Sequence, residues 1–187
     1  MTGAAVILVL ALACFLGPLL LPFDETHIDV MQRFVPPLAG AHLLGTDELG
    51  RDMLARLMIG GRISLGIGFA AMAIAIAIGT GVGMVAGYHG GVIGSALMRL
   101  VDAILCFPTI FLLLALAALV KPGLLSMVLL IAATSWMNVA RIVEAQIRML
   151  RDQDYAVAAR SFGASHLRVM LRELLPNAMA PIVVAAT

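Results

Sequence analysis

The chain has 187 residues, of which 62% are hydrophobic and only 12% are charged, and its mean hydropathy is +1.06. Soluble domains carry roughly 25% charged residues, so this composition excludes an ordinary soluble domain and indicates an integral membrane protein. The formal net charge of +1 gives no electrostatic reason to expect a nucleic-acid partner.

Apolar runs predict the membrane spans. A helix needs about 20 mostly apolar residues to cross a hydrocarbon core about 30 Å thick. A fifth run begins near Leu174 and is cut off at Thr187, so we expect a fragment or a truncated reading frame. The fold expected is all-α, a polytopic transmembrane helical bundle truncated in the fifth span. The four complete predicted spans are Ala4 to about Leu21, Ile63 to about Ala86, about Ala96 to Val120, and Leu124 to Val143.

The first polar segment contains "HLLGTDELGRDMLARLMIGGRISLGIG", residues 42–68. Thr46 or Asp47 is a plausible N-cap, so we expect an amphipathic helix in the region 42–60. Arg51, Asp52 and Arg56 would then face water or a partner. The apolar side predicted for this helix consists of Leu49, Met53, Leu54, Leu57 and Met58.

Glycines recur at every fourth position in the second predicted span, at Gly79, Gly83 and Gly87. The stretch "GTGVGMVAG" contains Gly-x-Gly spacing, but it lies inside an apolar span with no preceding strand, so a phosphate-binding loop is not expected. Small residues four apart let another helix approach closely. We therefore interpret the three glycines as a helix-packing ridge.

The third predicted span carries two charges and a proline. Arg99 and Asp102 are three residues apart, close enough on a helix to pair. Such a pair is either functional at membrane depth or structural near the cytoplasmic interface, and we favour the structural role. Pro108 predicts a kink. Residues 121–123, Lys-Pro-Gly, predict a tight hairpin to the fourth span.

Charge distribution predicts the orientation. Residues 22–62 carry six acidic side chains and four arginines, whereas residues 141–173 carry six arginines and four acidic side chains. Three spans separate the two segments, so they should lie on opposite faces. By the positive-inside tendency, the second segment and the N-terminus are cytoplasmic.

The second polar segment reads as a helix, a turn and a second helix. The helix is expected over 141–162, and Gly163 lies where a helix C-terminus favours a left-handed residue. Ser165 is a plausible N-cap, and Pro176 should bend the chain toward the next span. On the second helix, the predicted apolar side contains Leu167, Met170, Leu171 and Leu174, and the cationic side contains Arg168 and Arg172.

The residues of this segment alone are consistent with two interpretations. It is either an amphipathic helix on the cytoplasmic leaflet, whose arginines reach anionic headgroups, or a docking site. In the second case the small residues Ala158, Ala159 and Gly163 would allow close approach of another protein.

The sequence contains no recognisable catalytic or metal-binding motif. The sequence contains neither a Ser-His-Asp nor a His-Glu-x-x-His pattern, and its four histidines are scattered. Cys14 and Cys106 lie in apolar runs, where a thiol behaves as a small hydrophobe. We expect no catalytic residue, no metal site and no disulfide.

The stretch "AARSFGASHLRVMLRELLP" resembles the cytoplasmic EAA loop of ABC-transporter permeases, because Ala158, Ala159, Gly163, Leu175 and Pro176 stand at the positions of its pattern. Val157 replaces the usual acidic residue, and Glu173 replaces a usually apolar one. The resemblance implies that ATPase subunits dock on a coupling loop within residues 144–176. The coupling residues it implies are Tyr155, Ala158, Ala159, Gly163, Ala164, Leu175 and Pro176.

A second resemblance covers most of the chain. Residues 42–68 and "LVDAILCFPTIF" are similar to the second permease subunit of dipeptide, oligopeptide, glutathione and nickel importers. This implies a multi-pass permease in the bacterial cytoplasmic (inner) membrane, with a homologous permease subunit, cytoplasmic ATPases and an extracytoplasmic solute-binding protein as partners. ATP would be used by the ATPases alone, and the chain would bind no cofactor. Region 42–60 would either contact the binding protein or only set the angle of span two.

Other functions remain as alternatives. A membrane scaffold or assembly factor could use the arginine-bearing loop to bind lipid or a soluble partner. A secondary carrier has less support, because the chain has no visible inverted repeat and few intramembrane ionisable groups. Among importer substrates, a dipeptide or oligopeptide is the favoured solute.

Overall fold

The computed structural model describes residues 2–20, 27–39 and 42–185. This part of the chain consists of helices and turns, with isolated β-bridges joining Ala39 to His42 and Thr46 to Asp52. The predicted all-α fold is confirmed. The chain forms two compact units, Met1–Gly68 and Phe69–Thr187, which are described separately.

In the first unit, helix α1 (Thr2–Leu20) packs on the first turns of helix α2 (Met53–His89). Gly17 faces the Met58 side chain, and the Arg62 guanidinium lies 5.8 Å from the centroid of the Phe15 ring. The apolar part of α1 described here, Ala5–Pro18, is shorter than the other candidate spans. The lack of a side chain at Gly17 allows α1 to lie close to α2, and the cation–π contact between Arg62 and Phe15 stabilises this packing.

The connection between these helices contains a 3₁₀ turn, Val30–Gln32, that is capped by the Asp29 side chain. The predicted helix over 42–60 is wrong for its first half, since α2 begins only at Met53. Asp52 Oδ1 accepts a hydrogen bond from the backbone N–H of Ala55 at 2.8 Å, so Asp52 caps the helix. Thr46 instead accepts a bond from the N–H of Val35 at 2.9 Å and closes the loop.

Asp47, the other predicted cap, organises the same loop. Its carboxylate accepts hydrogen bonds from the backbone N–H groups of Leu49 and Arg51 at 2.8 and 3.0 Å, and from Arg51 Nε at 2.9 Å. Arg56 is a second guanidinium partner. Desolvation acts to raise the pKa of Asp47, but these N–H groups and the Arg51 charge outweigh it and lower the pKa to about 2. The lowered pKa keeps the carboxylate charged at acidic pH values at which a free aspartate is partly protonated, so its ion pairs with Arg51 and Arg56 persist there.

Within the described residues, two helices are each long and apolar enough to cross a bilayer, α2 and α5 (Leu124–Leu150). The third predicted span is instead two helices, α3 (Gly91–Leu105) and α4 (Thr109–Leu119), which meet at 84°. The kink expected at Pro108 is thus a complete break. Pro108 precedes α4 with φ −56° and ψ 126°, and proline supplies no N–H to continue α3 while it biases the preceding residue away from helix.

The tight hairpin predicted at residues 121–123 is confirmed, since α4 ends at Leu119 and α5 begins at Leu124. The Ser126 hydroxyl reaches the carbonyls of Lys121 and Gly123 at 2.8 Å each. Donation to either carbonyl stabilises the turn with a side chain from the next helix.

Asp102 pairs with Arg141 rather than with Arg99, which corrects the predicted ion pair. Arg141 Nη2 lies 2.8 Å from Asp102 Oδ1, and each side chain is about half exposed. Arg99 is exposed on α3. The reason is tertiary: buried Val101 packs with Met137 and Ala140, and this contact brings α3 against α5.

The main core of the second unit lies around the second half of α5. Short helix α6 (Asp154–Ser161), one-turn helix α7 (His166–Arg168), a π-helical segment (Val169–Leu174) and α8 (Leu175–Ala185) follow it. The core residues come from all of these elements except α7, and from the end of α2. They are Met84, Tyr88, Val139, Val143, Ile147, Ala156, Val169, Met170, Leu174, Ala178 and Ile182.

Candidate coupling surface

The glycine ridge lies directly against α5. A Cβ built on Gly79 would lie 2.6 Å from the carbonyl oxygen of Trp136, and one on Gly83 would lie 2.5 Å from that of Ala140. A Cβ on Gly87 would lie 2.7 Å from that of Glu144. These distances are shorter than van der Waals contact, so only glycine permits this approach of α2 and α5.

Polar contacts fasten the end of α2 to the segment after α5. Arg151 Nη1 donates to the carbonyls of Gly87 and Tyr88 at 3.0 and 3.3 Å. Arg160 Nη2, from α6, donates to the Arg151 carbonyl at 2.8 Å. The Tyr88 hydroxyl lies 2.8 Å from His166 Nδ1, which extends the connection to α7. In the sequence, Arg151 is one of several positive charges in this segment, and its role in joining these elements becomes visible only in the structure.

The turn between α6 and α7 is a Schellman motif. The N–H of Gly163 donates to the Arg160 carbonyl at 2.9 Å, and the N–H of Ala164 donates to the Ala159 carbonyl at 3.1 Å. Gly163 has φ +80°, the left-handed conformation in which side chains with a Cβ are strained. The predictions of a left-handed Gly163 and of a cap at Ser165 are confirmed, since Ser165 Oγ accepts from the N–H of Arg168 at 3.4 Å.

A π-helical segment follows α7, and Pro176 explains it. A proline inside an α-helix clashes with the carbonyl four residues earlier and cannot donate to it. Here the N–H of Leu175 donates to the carbonyl of Met170, five residues earlier, and the widened turn carries Pro176 into α8. The Asn177 side chain donates to the Glu173 carbonyl at 2.7 Å. The helix therefore continues through Pro176 after a π-helical turn.

The same widening changes which side chains are buried. The predicted apolar side is wrong for Leu167 and Leu171, which are 62% and 46% exposed. Val169, Met170 and Leu174 face the core instead. Because a π turn holds more residues than an α turn, the 3.6-residue period used for the prediction does not apply across this segment.

The predicted coupling residues separate into two groups. Ala159, Ala164 and Leu175 are partly buried and pack on the core of this chain. Tyr155, Ala158, Gly163 and Pro176 are exposed. The exposed group is available for a partner, whereas the inward group holds the segment on the bundle.

Several large apolar side chains of this segment are also exposed, and one of them, Phe162, is not among the predicted coupling residues. Phe162, which precedes the Gly163 turn, is 91% exposed, more than any other aromatic residue for which exposure is described. Exposed large apolar residues mark sites of interaction with another protein or with the membrane. We use the name coupling surface for the exposed large apolar residues of this segment, without implying that they share one helix face: Tyr155, Val157, Phe162, Leu167 and Leu171.

Comparisons with known proteins agree with this architecture. Residues 79–187 match the family described as binding-protein-dependent transport system inner membrane component. Residues 1–37 match the N-terminal TM domain of oligopeptide transport permease C. The first match contains the glycine ridge and the coupling surface.

Individual relatives align over nearly the whole chain. The dipeptide transport system permease protein DppC of Bacillus subtilis is 37% identical over 100% of the chain and 58% of its own length. DppC of Haemophilus influenzae is 35% identical over 99% of the chain and 64% of its own length. The oligopeptide transport system permease protein OppC of Bacillus subtilis is 32% identical over 100% and 61%. The chain thus spans about three fifths of these relatives, and it belongs to the family of binding-protein-dependent transport system inner membrane components.

Proposed function

We propose that the chain is a membrane-spanning permease subunit of an ATP-driven importer that moves a dipeptide or oligopeptide. Its partners would be a homologous permease subunit, cytoplasmic ABC ATPases that hydrolyse the ATP, and an extracytoplasmic solute-binding protein. The observation that carries the proposal is the coupling surface, an exposed apolar segment held rigidly on the helix bundle. The names of the peptide permeases that resemble the chain support the solute class, and glutathione or nickel remains the alternative cargo.

The attachment of residues 154–174 to the helix bundle would couple a movement of the ATPases to the membrane helices. α6 is tied to the end of α5 by Arg160, α7 is tied to α2 by His166, and the π-helical segment packs into the core. A displacement of Phe162 by an ATPase would therefore move the ends of several helices together. Such rigid-body motion can switch a path between two openings.

The proposed orientation places residues 144–176 in the cytoplasm of a bacterial cell, together with the N-terminus of the chain. The membrane would be the cytoplasmic (inner) membrane. Residues 144–173 carry five arginines against four acidic side chains, which supports this orientation through the positive-inside tendency.

Cysteine labelling tests the orientation. In a Cys14→Ser, Cys106→Ser background, Ser165→Cys should react with an impermeant thiol reagent only from the cytoplasmic side, and Glu48→Cys only from outside. Both positions are exposed, so burial does not limit the reaction. The opposite pattern would remove the ATPase-docking proposal.

Reconstitution tests the function as a whole. We expect the permease, co-expressed with its neighbouring transporter subunits, to co-purify with an ATPase and to support ATP-dependent peptide uptake into vesicles. A scaffold would instead bind lipid or a soluble protein without ATPase recruitment or uptake. Recovery of the assembled complex with no uptake of any peptide would refute the solute class and keep the permease assignment.

A further inference from the structure

Helix α3 has three distinct faces. Gly94 and Val101 are buried against neighbouring helices, and a second side exposes apolar residues such as Val92 and Leu100. A third side exposes the polar residues Ser95, Arg99 and Asp102 at positions i, i+4 and i+7, and exposed Cys106 follows at i+11, directly after the last residue of α3.

Helix α5 continues this third face. Asn138 and Arg141 are three residues apart and exposed, and Arg141 joins the two helices by its ion pair with Asp102. We call the combined surface the polar strip: Ser95, Arg99, Asp102, Cys106, Asn138 and Arg141. At one end, Ser95 also lines a cavity of about 280 Å³, together with Glu144, Arg148 and Arg151. The strip therefore leads into a polar recess.

The strip lies at a depth where α2 is wholly uncharged. Ala140 and Val143, which flank Arg141, pack on Gly83 of α2, and α2 carries no charged residue between Arg62 and His89. Gly83 is about 9 Å along the helix axis from His89 at 1.5 Å per residue. The Asp102–Arg141 pair thus lies beside a stretch of α2 that is suited to lipid.

Lipid is an unfavourable neighbour for the strip. Ionisable groups at membrane depth are costly and face the bundle interior or water. An arginine can extend toward the headgroups, but the Arg141 guanidinium is committed to Asp102 at 2.8 Å, and an aspartate has no long stem. About half of each side chain is exposed nonetheless, so water, a polar molecule or another protein segment must cover it.

We propose that the polar strip is part of the wall of the solute path and that Asp102 and Arg141 contact the charged termini of a passing peptide. This rests on the proposed permease function. Adjacent carboxylate and guanidinium groups match the ammonium and carboxylate of a zwitterionic peptide. The half-exposed pair leaves acceptor and donor positions free of steric cover for these contacts.

Thiol accessibility tests the position of the strip in the assembled transporter. In a Cys14→Ser, Cys106→Ser background, Ser95→Cys and Asn138→Cys should react with a charged, water-soluble thiol reagent, and a transported dipeptide should slow the reaction. Leu100→Cys and Ala103→Cys are matched controls, because both residues are exposed on the apolar side of α3. They should stay unreactive. Equal reactivity of the two sets, or crosslinking of the strip positions to the partner permease, would overturn the proposal.

Charge reversal tests the contact with solute. Asp102→Asn and Arg141→Gln should each lower peptide uptake by roughly tenfold, as expected for loss of a desolvated charge contact.

The double variant Asp102→Arg, Arg141→Asp keeps an ion pair but reverses the charges along the path, so uptake should remain low while assembly and thermal stability recover. Full recovery of uptake would mean that the pair is only structural. If the unmodified complex transports no peptide, the proposed solute class fails, whereas normal uptake by every variant refutes only the role of the polar strip.

Discussion

Gly163→Arg is expected to abolish co-purification with the ATPase subunits and to lower ATP-driven uptake by at least about tenfold, while the permease still inserts into the membrane. Two effects combine. Gly163 has φ +80°, where a side chain with a Cβ costs about 1–2 kcal/mol. The arginine side chain would also project from the turn beside exposed Phe162 and obstruct a docked partner.

Two further substitutions separate these effects. No atom lies within 4 Å of a Cβ built on Gly163, so Gly163→Ala adds backbone strain with little bulk. Gly163→Asn adds a small side chain that tolerates the left-handed conformation. Activity should decrease in the order Asn, Ala, Arg. If Gly163→Arg retains ATPase binding and uptake at the unmodified level, the coupling surface is a lipid-facing helix pair and the proposed function loses its main support.

Gly83→Leu should produce the largest loss of stability in the second unit. Its Cβ alone would lie 2.5 Å from the Ala140 carbonyl oxygen, 2.8 Å from Val143 Cβ and 3.0 Å from the Glu144 nitrogen. Two of these atoms belong to the backbone, so α5 must move away. Overpacking typically costs about 1–3 kcal/mol, and the remaining leucine atoms should bring the loss to the upper end of that range.

Gly81→Leu is the matched control, because the same helix and the same change of residue are involved. No atom lies within 4 Å of a Cβ built there, and the gain in helix propensity is the same. Thermal unfolding of the purified chain in detergent should show a clear decrease in Tm for Gly83→Leu and little change for Gly81→Leu. Equal values for the two variants would contradict the packing of the ridge on α5.

Several local features were predictable from the sequence because neighbouring residues determine them. Gly163 and Ser165 define a turn whose hydrogen bonds lie within a few residues, and Lys-Pro-Gly at 121–123 stops two helices in succession. The composition predicted a membrane bundle for an equally general reason, since polar residues are too few to cover a soluble fold. Glycine spacing predicted a close helix contact, although not its partner.

Tertiary packing decided the features that depend on distant residues. Asp102 pairs with Arg141 and not with Arg99, which is closer in sequence, because the packing of Val101 brings α3 against α5. Asp52, rather than Thr46 or Asp47, caps α2 because the other two side chains are engaged in closing the loop. With the π-helical turn before Pro176, Val169 and Leu174 are buried in the core and Leu167 is exposed. A prediction from hydrophobic periodicity assumes one regular helix. The packing of the core determines which turn is widened and which side chains are buried or paired.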